Sequence, residues 1–242
     1  MKFCEKFLTI QAEGIYLGTP SLFLRTSGCN CRCEWKNPDG TISKCDTPYT
    51  SWSPETPTID VTPEDIIEEM QTKYPNVEDV VITGGEPFLQ PGISDFINKL
   101  AQNEFFVTVE TNGTIYKETC AQLISMSPKL KTSIPDSGPE RTIHEASRWK
   151  PEQFRKFYEN NRCQFKFVFS NKDDIVEIDE FLKVIGFDPE NAFGSQVILM
   201  PQGINSQVLK ENSIEAIEVC KERGWRFSPR THIDVWGMRR MV

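Results

Sequence analysis

Strand and helix patterns alternate along this sequence from about residue 60 onward. Runs rich in β-branched and aromatic residues predict strands at 22–25, 80–83, 105–111, 164–169 and 196–200. Helical patterns predict helices at 62–74, 92–103, 116–125, 151–161, 173–185 and 206–223. Because strands separated by helices pair in parallel through right-handed crossovers, we predict an α/β fold with a mostly parallel sheet.

Two polar stretches interrupt the alternation, at 34–60 and 131–150. Their content of proline and polar residues predicts loops, and we therefore expect His144 at the surface. No repeat, low-complexity tract or change of composition divides the chain, and its 242 residues are enough to bury one substantial core. We predict a single domain over residues 1–242.

The charge and hydropathy patterns exclude several classes of function. The formal net charge is −8, whereas a surface that binds phosphate backbones needs clustered Lys and Arg, so we expect no direct contact with nucleic acid. No apolar run reaches the length of about 18 residues that suggests a membrane span, and the residues after Met1 lack the apolar stretch of a secretory signal. We expect a cytoplasmic protein with a small-molecule substrate and no membrane contact.

Four cysteines lie close together, at Cys29, Cys31, Cys33 and Cys45. Disulfide frameworks belong to small secreted domains, so a metal site is the better interpretation. Four thiolates satisfy tetrahedral zinc, but structural zinc sites usually pair two closely spaced knuckles, and Cys45 has no second thiol nearby. Three thiolates on loops can instead hold an iron–sulfur cluster with one iron left open. Spacing alone leaves zinc and iron–sulfur evenly balanced.

The ends of the predicted strands are the expected place for a ligand. Ligands of parallel α/β sheets bind at the carboxyl ends of strands, so the loops after residues 25, 83, 111, 169 and 200 should line the site. Gly84 and Gly85 follow one such strand, and glycines let the backbone approach a ligand closely. An ordinary turn between a strand and a helix explains this pair equally well by itself.

Several motifs taken together resemble one enzyme family. The chain opens with Phe7-Leu-Thr-Ile-Gln-Ala-Glu-Gly14, and Thr83-Gly-Gly-Glu-Pro87 follows the cysteine cluster. Further motifs follow in order: Glu110-Thr-Asn-Gly-Thr114, Ser127-Pro-Lys129, Met200-Pro-Gln-Gly203 and His232. Through most of its length the chain is similar to the 7-carboxy-7-deazaguanine synthases of the radical S-adenosylmethionine (SAM) superfamily. This resemblance favours an iron–sulfur cluster over zinc.

The resemblance implies a fold, a reaction and cofactors. The fold would be an open, partial (β/α) barrel of the radical SAM type. The reaction, that of a lyase, would convert 6-carboxy-5,6,7,8-tetrahydropterin to 7-carboxy-7-deazaguanine with release of ammonia, a step toward queuosine and other 7-deazapurines. The implied cofactors are a [4Fe–4S] cluster, SAM and Mg²⁺. The implied partners are the pterin substrate, a flavodoxin- or ferredoxin-like electron donor and a second copy of the chain in a homodimer.

The resemblance also implies metal ligands. The family's C-x₃-C beginning selects Cys29 and Cys33, and the sequence Cys45-Asp-Thr matches the third family cysteine. That cysteine usually follows closely, so residues 36–44 are interpreted as an insertion, and Cys31 remains an alternative to Cys33 as the second ligand. Thr47 would supply a hydroxyl group to Mg²⁺.

The remaining implied contacts divide between cofactor and substrate. The SAM contacts would be Lys44, Cys45, Asp46, Gly84, Gly85, Glu86, Glu110, Ser127, Pro128, Lys129, Met200, Pro201, Gln202 and Gly203. The substrate contacts would be Ile10, Gln11, Ala12, Glu13, Arg25, Thr83 and His232. Amide and carboxylate groups can pair with the edge of a pterin, and a guanidinium can pair with its carboxylate. Arg25 could instead be a structural ion-pair partner, and His232 a structural histidine.

Two other functions share part of this pattern. A glycyl-radical-enzyme activase has the cysteines and the GGEP motif but acts on a protein, and the Gln11-x-Glu13-Gly opening, the Cys45-Asp46-Thr47 motif and the His232 segment count against it. A zinc-stabilised binding module would use all four clustered cysteines and perform no catalysis.

Overall fold

The computed structural model describes residues 1–37, 40–188 and 196–242. Its strands are β1 Lys2–Phe3, β2 Glu5–Ile10, β3 Pro20–Thr26, β4 Glu34–Lys36, β5 Ile42–Lys44, β6 Ile59–Asp60, β7 Asp79–Gly84, β8 Phe106–Thr111, β9 Leu123–Met126, β10 Cys163–Phe169, β11 Gln196–Pro201 and β12 Arg226–Phe227. Its helices are α1 Pro48–Ser51, α2 Pro63–Lys73, α3 Ile93–Gln102, α4 Gly138–Arg148, α5 Pro151–Asn160, α6 Asp174–Ile185, α7 Ser206–Arg223 and α8 Thr231–Trp236. Short 3₁₀ turns lie at Pro87–Leu89 and Lys131–Ser133.

The central sheet of the described chain has eight strands in the order β12-β11-β10-β9-β8-β7-β3-β2. Strand β2 is antiparallel to β3, and the other neighbours are parallel. The two edge strands, β12 and β2, are not paired with each other, so the sheet stays open. This topology confirms the predicted α/β fold with an open, mostly parallel sheet. None of the described helices combines the length and apolar character needed to cross a membrane.

Local signals explain where helix α2 begins. The Thr62 side chain accepts a hydrogen bond from the Asp65 backbone N–H, and the Asp65 carboxylate accepts one from the Thr62 N–H. This reciprocal cap satisfies two donors that a helix start otherwise leaves unpaired, and Pro63 suits the first helical position. The helix predicted over 62–74 is therefore confirmed.

Strand β10 shows how the two faces of the sheet differ. One face packs against helices in the hydrophobic core, and the other faces the inside of the partial barrel. Phe165 and Phe167 pack against Phe181 of α6, with ring centroids 5.8 and 5.4 Å apart. Side chains on one strand alternate between faces, so Gln164 and Lys166 project to the opposite, interior side. The barrel interior is therefore polar, although every residue named here is buried.

One predicted helix is wrong. Residues 116–125 do not form a helix, and the end of this segment is strand β9, between β8 and β10. The Gln122 side chain accepts a hydrogen bond from the Val107 N–H at 2.8 Å, and the Gln122 N–H donates to the Val107 carbonyl at 3.0 Å. Leu123, Ile124 and Met126 are fully buried, as expected for a short strand covered on both faces.

The two predicted loops contain regular structure. Within 34–60, strands β4 and β5 pair as an antiparallel hairpin, followed by α1 and β6. This hairpin forms most of the predicted insertion at 36–44, of which residues 38 and 39 lie outside the described residues. Within 131–150, helix α4 begins at Gly138, and Pro139 fits its first turn because a proline there loses no helical hydrogen bond.

Candidate active site

A cavity lies at the carboxyl ends of the parallel strands, where ligands of such sheets bind. The ends of β3, β7, β8, β10 and β11 contribute to its wall, as the strand-end argument predicts, and the end of β9, which was not predicted as a strand, contributes as well. The antiparallel β2 and the loop after it close one side. The segment 237–242 lies across the cavity as well.

Most of the predicted site residues meet in this cavity. Those that line it are Ile10, Gln11, Ala12, Glu13, Arg25, Cys29, Cys33, Lys44, Cys45, Asp46, Thr47, Thr83, Gly84, Gly85, Glu110, Ser127, Lys129, Met200, Gln202, Gly203 and His232. Three predicted SAM contacts, Glu86, Pro128 and Pro201, are not among the described lining residues. The site therefore joins the beginning, middle and end of the sequence.

The glycine pair allows the cysteine loop to lie directly on the end of β7. A Cβ atom at Gly85 would come within 2.3 Å of the Gly28 carbonyl oxygen and 2.8 Å of the Cys29 Cβ. A Cβ atom at Gly84 would lie 2.4 Å from the Thr26 carbonyl oxygen. The close approach that these glycines permit is thus between two protein segments, and it holds Cys29 at the cavity wall.

Glu86 is fully buried, is not among the described lining residues of the cavity, and joins the ends of two strands. Its buried carboxylate accepts hydrogen bonds from the Thr111 hydroxyl, the Asn112 N–H and the Phe88 N–H. Burial raises the pKa of Glu86 to about 7, because the charged form is removed from water. Glu86 therefore fixes the turn that carries Asn112, whose amide nitrogen lies 3.9 Å from the Cys29 Sγ.

Four thiols face the cavity: Cys29, Cys31, Cys33 and Cys45. Among the described residues, no three of their sulfur atoms lie within 4.8 Å of one another. A tetrahedral zinc ion with Zn–S bonds of about 2.3 Å would hold its sulfur ligands about 3.8 Å apart. The described thiols therefore do not form a preassembled tetrahedral zinc site.

His144 corrects an expectation, because it is fully buried rather than exposed. Its Nδ1 accepts a hydrogen bond of 3.1 Å from the backbone N–H of Arg32, and its Nε2 lies 3.2 Å from the Ser133 hydroxyl. Burial and the neighbouring cations Lys129 and Arg148 lower the pKa of His144 to about 4. The neutral imidazole thus anchors the cysteine loop to helix α4.

A network of opposite charges fills the other side of the cavity. The Glu13 carboxylate lies 3.1 Å from Lys166 Nζ and 3.2 Å from Arg230 Nε, and Arg230 also pairs with Asp46. Burial alone would raise the pKa of Glu13, but the charges of Lys166 and Arg230 outweigh it and hold this pKa at about 2. His232 Nε2 lies 3.6 Å from the Asp46 carboxylate. Glu13 is therefore an ionised acceptor at neutral pH.

Arg25 takes part in an ion pair at the edge of the cavity. Its Nε lies 2.6 Å from an oxygen of Glu5, a fully buried carboxylate that also accepts a hydrogen bond of 3.1 Å from Tyr49. Arg25 therefore makes a structural ion pair, while its side chain also lines the cavity. Contact with substrate remains a prediction.

Sequence reasoning missed several lining residues, above all Lys166, Arg230 and Asn112. A signal for Lys166 was present, because it alternates with phenylalanines in a strand, which indicates one apolar and one polar face. Arg230 stands two residues before His232, and Asn112 lies within the Glu110 motif. Neither carried a spacing that would predict its partners.

Comparison with known proteins identifies the family. The sequence model that describes the radical SAM superfamily matches residues 24–162 of this chain. A 7-carboxy-7-deazaguanine synthase of Halobacterium salinarum is 36% identical over 96% of this chain and 89% of that protein. One of Rhodopirellula baltica is 35% identical over 98% of this chain and 86% of that protein.

A solved structure agrees with these relatives. The crystal structure of QueE from Escherichia coli superposes on this chain with a TM-score of 0.62 at 25% sequence identity. The superposition covers 96% of this chain and 94% of the QueE chain. Similarity over nearly the full length favours a synthase over a glycyl-radical-enzyme activase or a zinc-binding module. The chain therefore belongs to the 7-carboxy-7-deazaguanine synthase family of the radical SAM superfamily.

Proposed function

We propose that this protein is a radical SAM lyase that converts 6-carboxy-5,6,7,8-tetrahydropterin to 7-carboxy-7-deazaguanine with release of ammonia. The observation that carries the proposal is one cavity that joins a set of thiols to a network of carboxylates and cations. The thiols suit a cluster and the charged network suits a polar heterocycle that bears a carboxylate. Membership of the synthase family supports both assignments.

The cluster ligands in this proposal are Cys29, Cys33 and Cys45. SAM would lie between the cysteine loop and the strand ends that carry Gly84, Gly85, Glu110, Ser127, Lys129, Met200, Gln202 and Gly203. When bound, the cluster and SAM supply the one-electron and hydrogen-transfer chemistry. The chain itself holds the reacting groups together and keeps water out.

The substrate would occupy the charged side of the cavity, against Gln11, Glu13, Arg25, Thr83 and His232. Glu13, held ionised by its cationic neighbours, can accept hydrogen bonds from the N–H groups of a pterin. The Nε of Arg25 donates to Glu5, so its two terminal nitrogens are the groups that can pair with the substrate carboxylate.

Mg²⁺ would bind at Thr47, whose side chain lines the cavity beside Asp46. Mg²⁺ prefers oxygen ligands and keeps several waters, so one hydroxyl together with substrate oxygens is an adequate set. Glu13, Asp46 and His232 also offer ligand atoms within 4.8 Å of one another. Lys166 and Arg230 already neutralise these carboxylates, which disfavours a second cation there.

The remaining expectations stay predictions. We propose a single domain over residues 1–242, a homodimer, a cytoplasmic location and a flavodoxin- or ferredoxin-like electron donor. The net charge of −8 supports the absence of direct contact with nucleic acid.

The decisive experiment is anaerobic reconstitution with iron and sulfide, followed by incubation with SAM, reductant, Mg²⁺ and carboxytetrahydropterin. Mass spectrometry should detect 7-carboxy-7-deazaguanine, and a Cys45→Ala variant should form none. SAM cleavage without this product would reject the substrate assignment alone. Tight stoichiometric zinc with no iron uptake would reject the radical assignment as well.

A further inference from the structure

A buried lysine links the two halves of the cavity. Lys166 extends from β10 into the barrel interior, and only 3% of its side chain is exposed. Its Nζ lies 3.1 Å from Glu13 Oε2 and 2.6 Å from Glu110 Oε1. A buried ammonium group is costly unless it is paired, and here two carboxylates pair with it.

The two carboxylates come from separate parts of the fold. Glu13 lies in the loop after β2, and Glu110 lies near the end of β8. The second oxygen of Glu13 faces Arg230 Nε at 3.2 Å, and the second oxygen of Glu110 lies 3.3 Å from the Thr83 hydroxyl. Lys166 thus determines which oxygen of each carboxylate faces its other partner.

The two carboxylates also belong to different ligands under the proposed function, on which this inference rests. Glu13 is assigned to the substrate, and Glu110 is assigned to SAM. We propose that Lys166 is a positioning residue that sets the placement of the substrate relative to SAM by holding Glu13 and Glu110 together. The ammonium group acts through these carboxylates and has no role in the reaction itself.

Loss of this link should separate SAM cleavage from product formation. A displacement of about 1 Å at the reacting atoms can reduce a rate by about 100-fold, even when both ligands still bind. Lys166→Met removes the charge at nearly constant length and should keep the iron content. The amount of product formed per 5′-deoxyadenosine released should fall at least about ten-fold, and the KM for the pterin should rise.

Two further variants make the test specific. Lys166→Arg keeps the positive charge but places it on a planar guanidinium group. This variant should restore substrate affinity in part, while the amount of product per 5′-deoxyadenosine stays below that of the wild type. Lys6→Met is the matched control, because Lys6 pairs with Glu69 outside the cavity and is also partly buried. It should leave the ratio and KM unchanged.

The outcomes separate this inference from the proposed function. If the wild type forms no deazaguanine product, the proposed function fails. If the wild type is active and Lys166→Met lowers the melting temperature but leaves the product ratio unchanged, Lys166 is only structural and the inference is overturned. If Lys166→Met does not fold, Lys166→Arg decides, since an unchanged ratio in that variant would also overturn it.

Discussion

At the scale of single residues, the cysteine loop contains one more thiol than a three-ligand cluster needs. Cys31 is fully buried, and its backbone N–H lies 3.4 Å from the Cys29 Sγ. The Asn112 amide nitrogen lies 3.7 Å from the Cys31 Sγ. Cys31 is therefore placed beside the proposed ligand Cys29, a position that suits a supporting contact to the Cys29 sulfur.

Alanine variants of these thiols should differ in iron content. Cys31→Ala is expected to retain a full cluster, whereas Cys33→Ala is expected to lose most of its iron. Of these two cysteines, only Cys33 is assigned as a cluster ligand. Iron and sulfide analysis after anaerobic reconstitution measures this, with the visible absorption spectrum as a second readout. If Cys31→Ala loses its iron and Cys33→Ala retains it, Cys31 is the cluster ligand and Cys33 is not.

The buried His144 predicts a specific pH dependence of stability. Its folded pKa of about 4 lies below the ordinary histidine pKa of about 6.5, so the unfolded state binds more protons between these two pH values. The stabilisation is complete above about pH 6.5 and is lost as the pH falls toward 4, by up to about 3 kcal/mol. Denaturant unfolding from pH 7 to 4 should show a smaller decrease for His144→Gln. Parallel curves for the two proteins would contradict this.

At the scale of elements, the critical contact is between the end of β7 and the cysteine loop. The substitution Gly85→Ala places a Cβ atom 2.3 Å from the Gly28 carbonyl oxygen, a backbone atom that can move only with the loop. We expect this variant to lose cluster binding. Gly186→Ala is the control, because Gly186 has a φ of +73° and ends α6 with no close neighbour.

Gly186→Ala should cost about 1 kcal/mol of stability and keep the cluster. Melting temperatures and iron content of the two variants separate a general loss of stability from displacement of the cysteine loop. A full iron content in Gly85→Ala would show that the loop can shift without losing its ligands.

At the scale of the whole molecule, residues far apart in sequence close the cavity. Arg240 Nε lies 2.6 Å from the buried Glu5, and its terminal nitrogens lie 2.9 and 3.0 Å from Glu55. The guanidinium also stacks over the Tyr49 ring at 3.7 Å. These contacts hold the segment 237–242 over a site that also contains Arg25, the other partner of Glu5.

Removing this closure should weaken substrate binding more than SAM cleavage. Arg240→Ala is expected to raise the KM for the pterin several-fold, up to about ten-fold, which corresponds to about 1.4 kcal/mol. Arg239→Ala is the control, since Arg239 also lines the cavity but has no ion pair among the described contacts. Steady-state kinetics of both variants test this, and equal KM values would contradict it.

The sequence by itself determined five strands of the central sheet, five of the described helices, the cysteine loop and the family. These depend on local periodicity and on motifs whose residues are close neighbours in the chain. The same local reasoning failed at 116–125, because pairing with β8 decides that this segment ends in a strand. It also placed His144 at the surface, since a polar stretch does not reveal which helix face will be buried.

Only the tertiary structure decided how the charges of the site are arranged. Lys166 and Glu13 are 153 positions apart, and Arg230 and Asp46 are 184 apart. Glu86, in a motif that suggests a ligand contact, ties the turn after β7 to the end of β8. The sequence shows which side chains are charged, but it does not show which of them will be neighbours. A buried charge must be paired, and its partner depends on which strands the sheet places side by side.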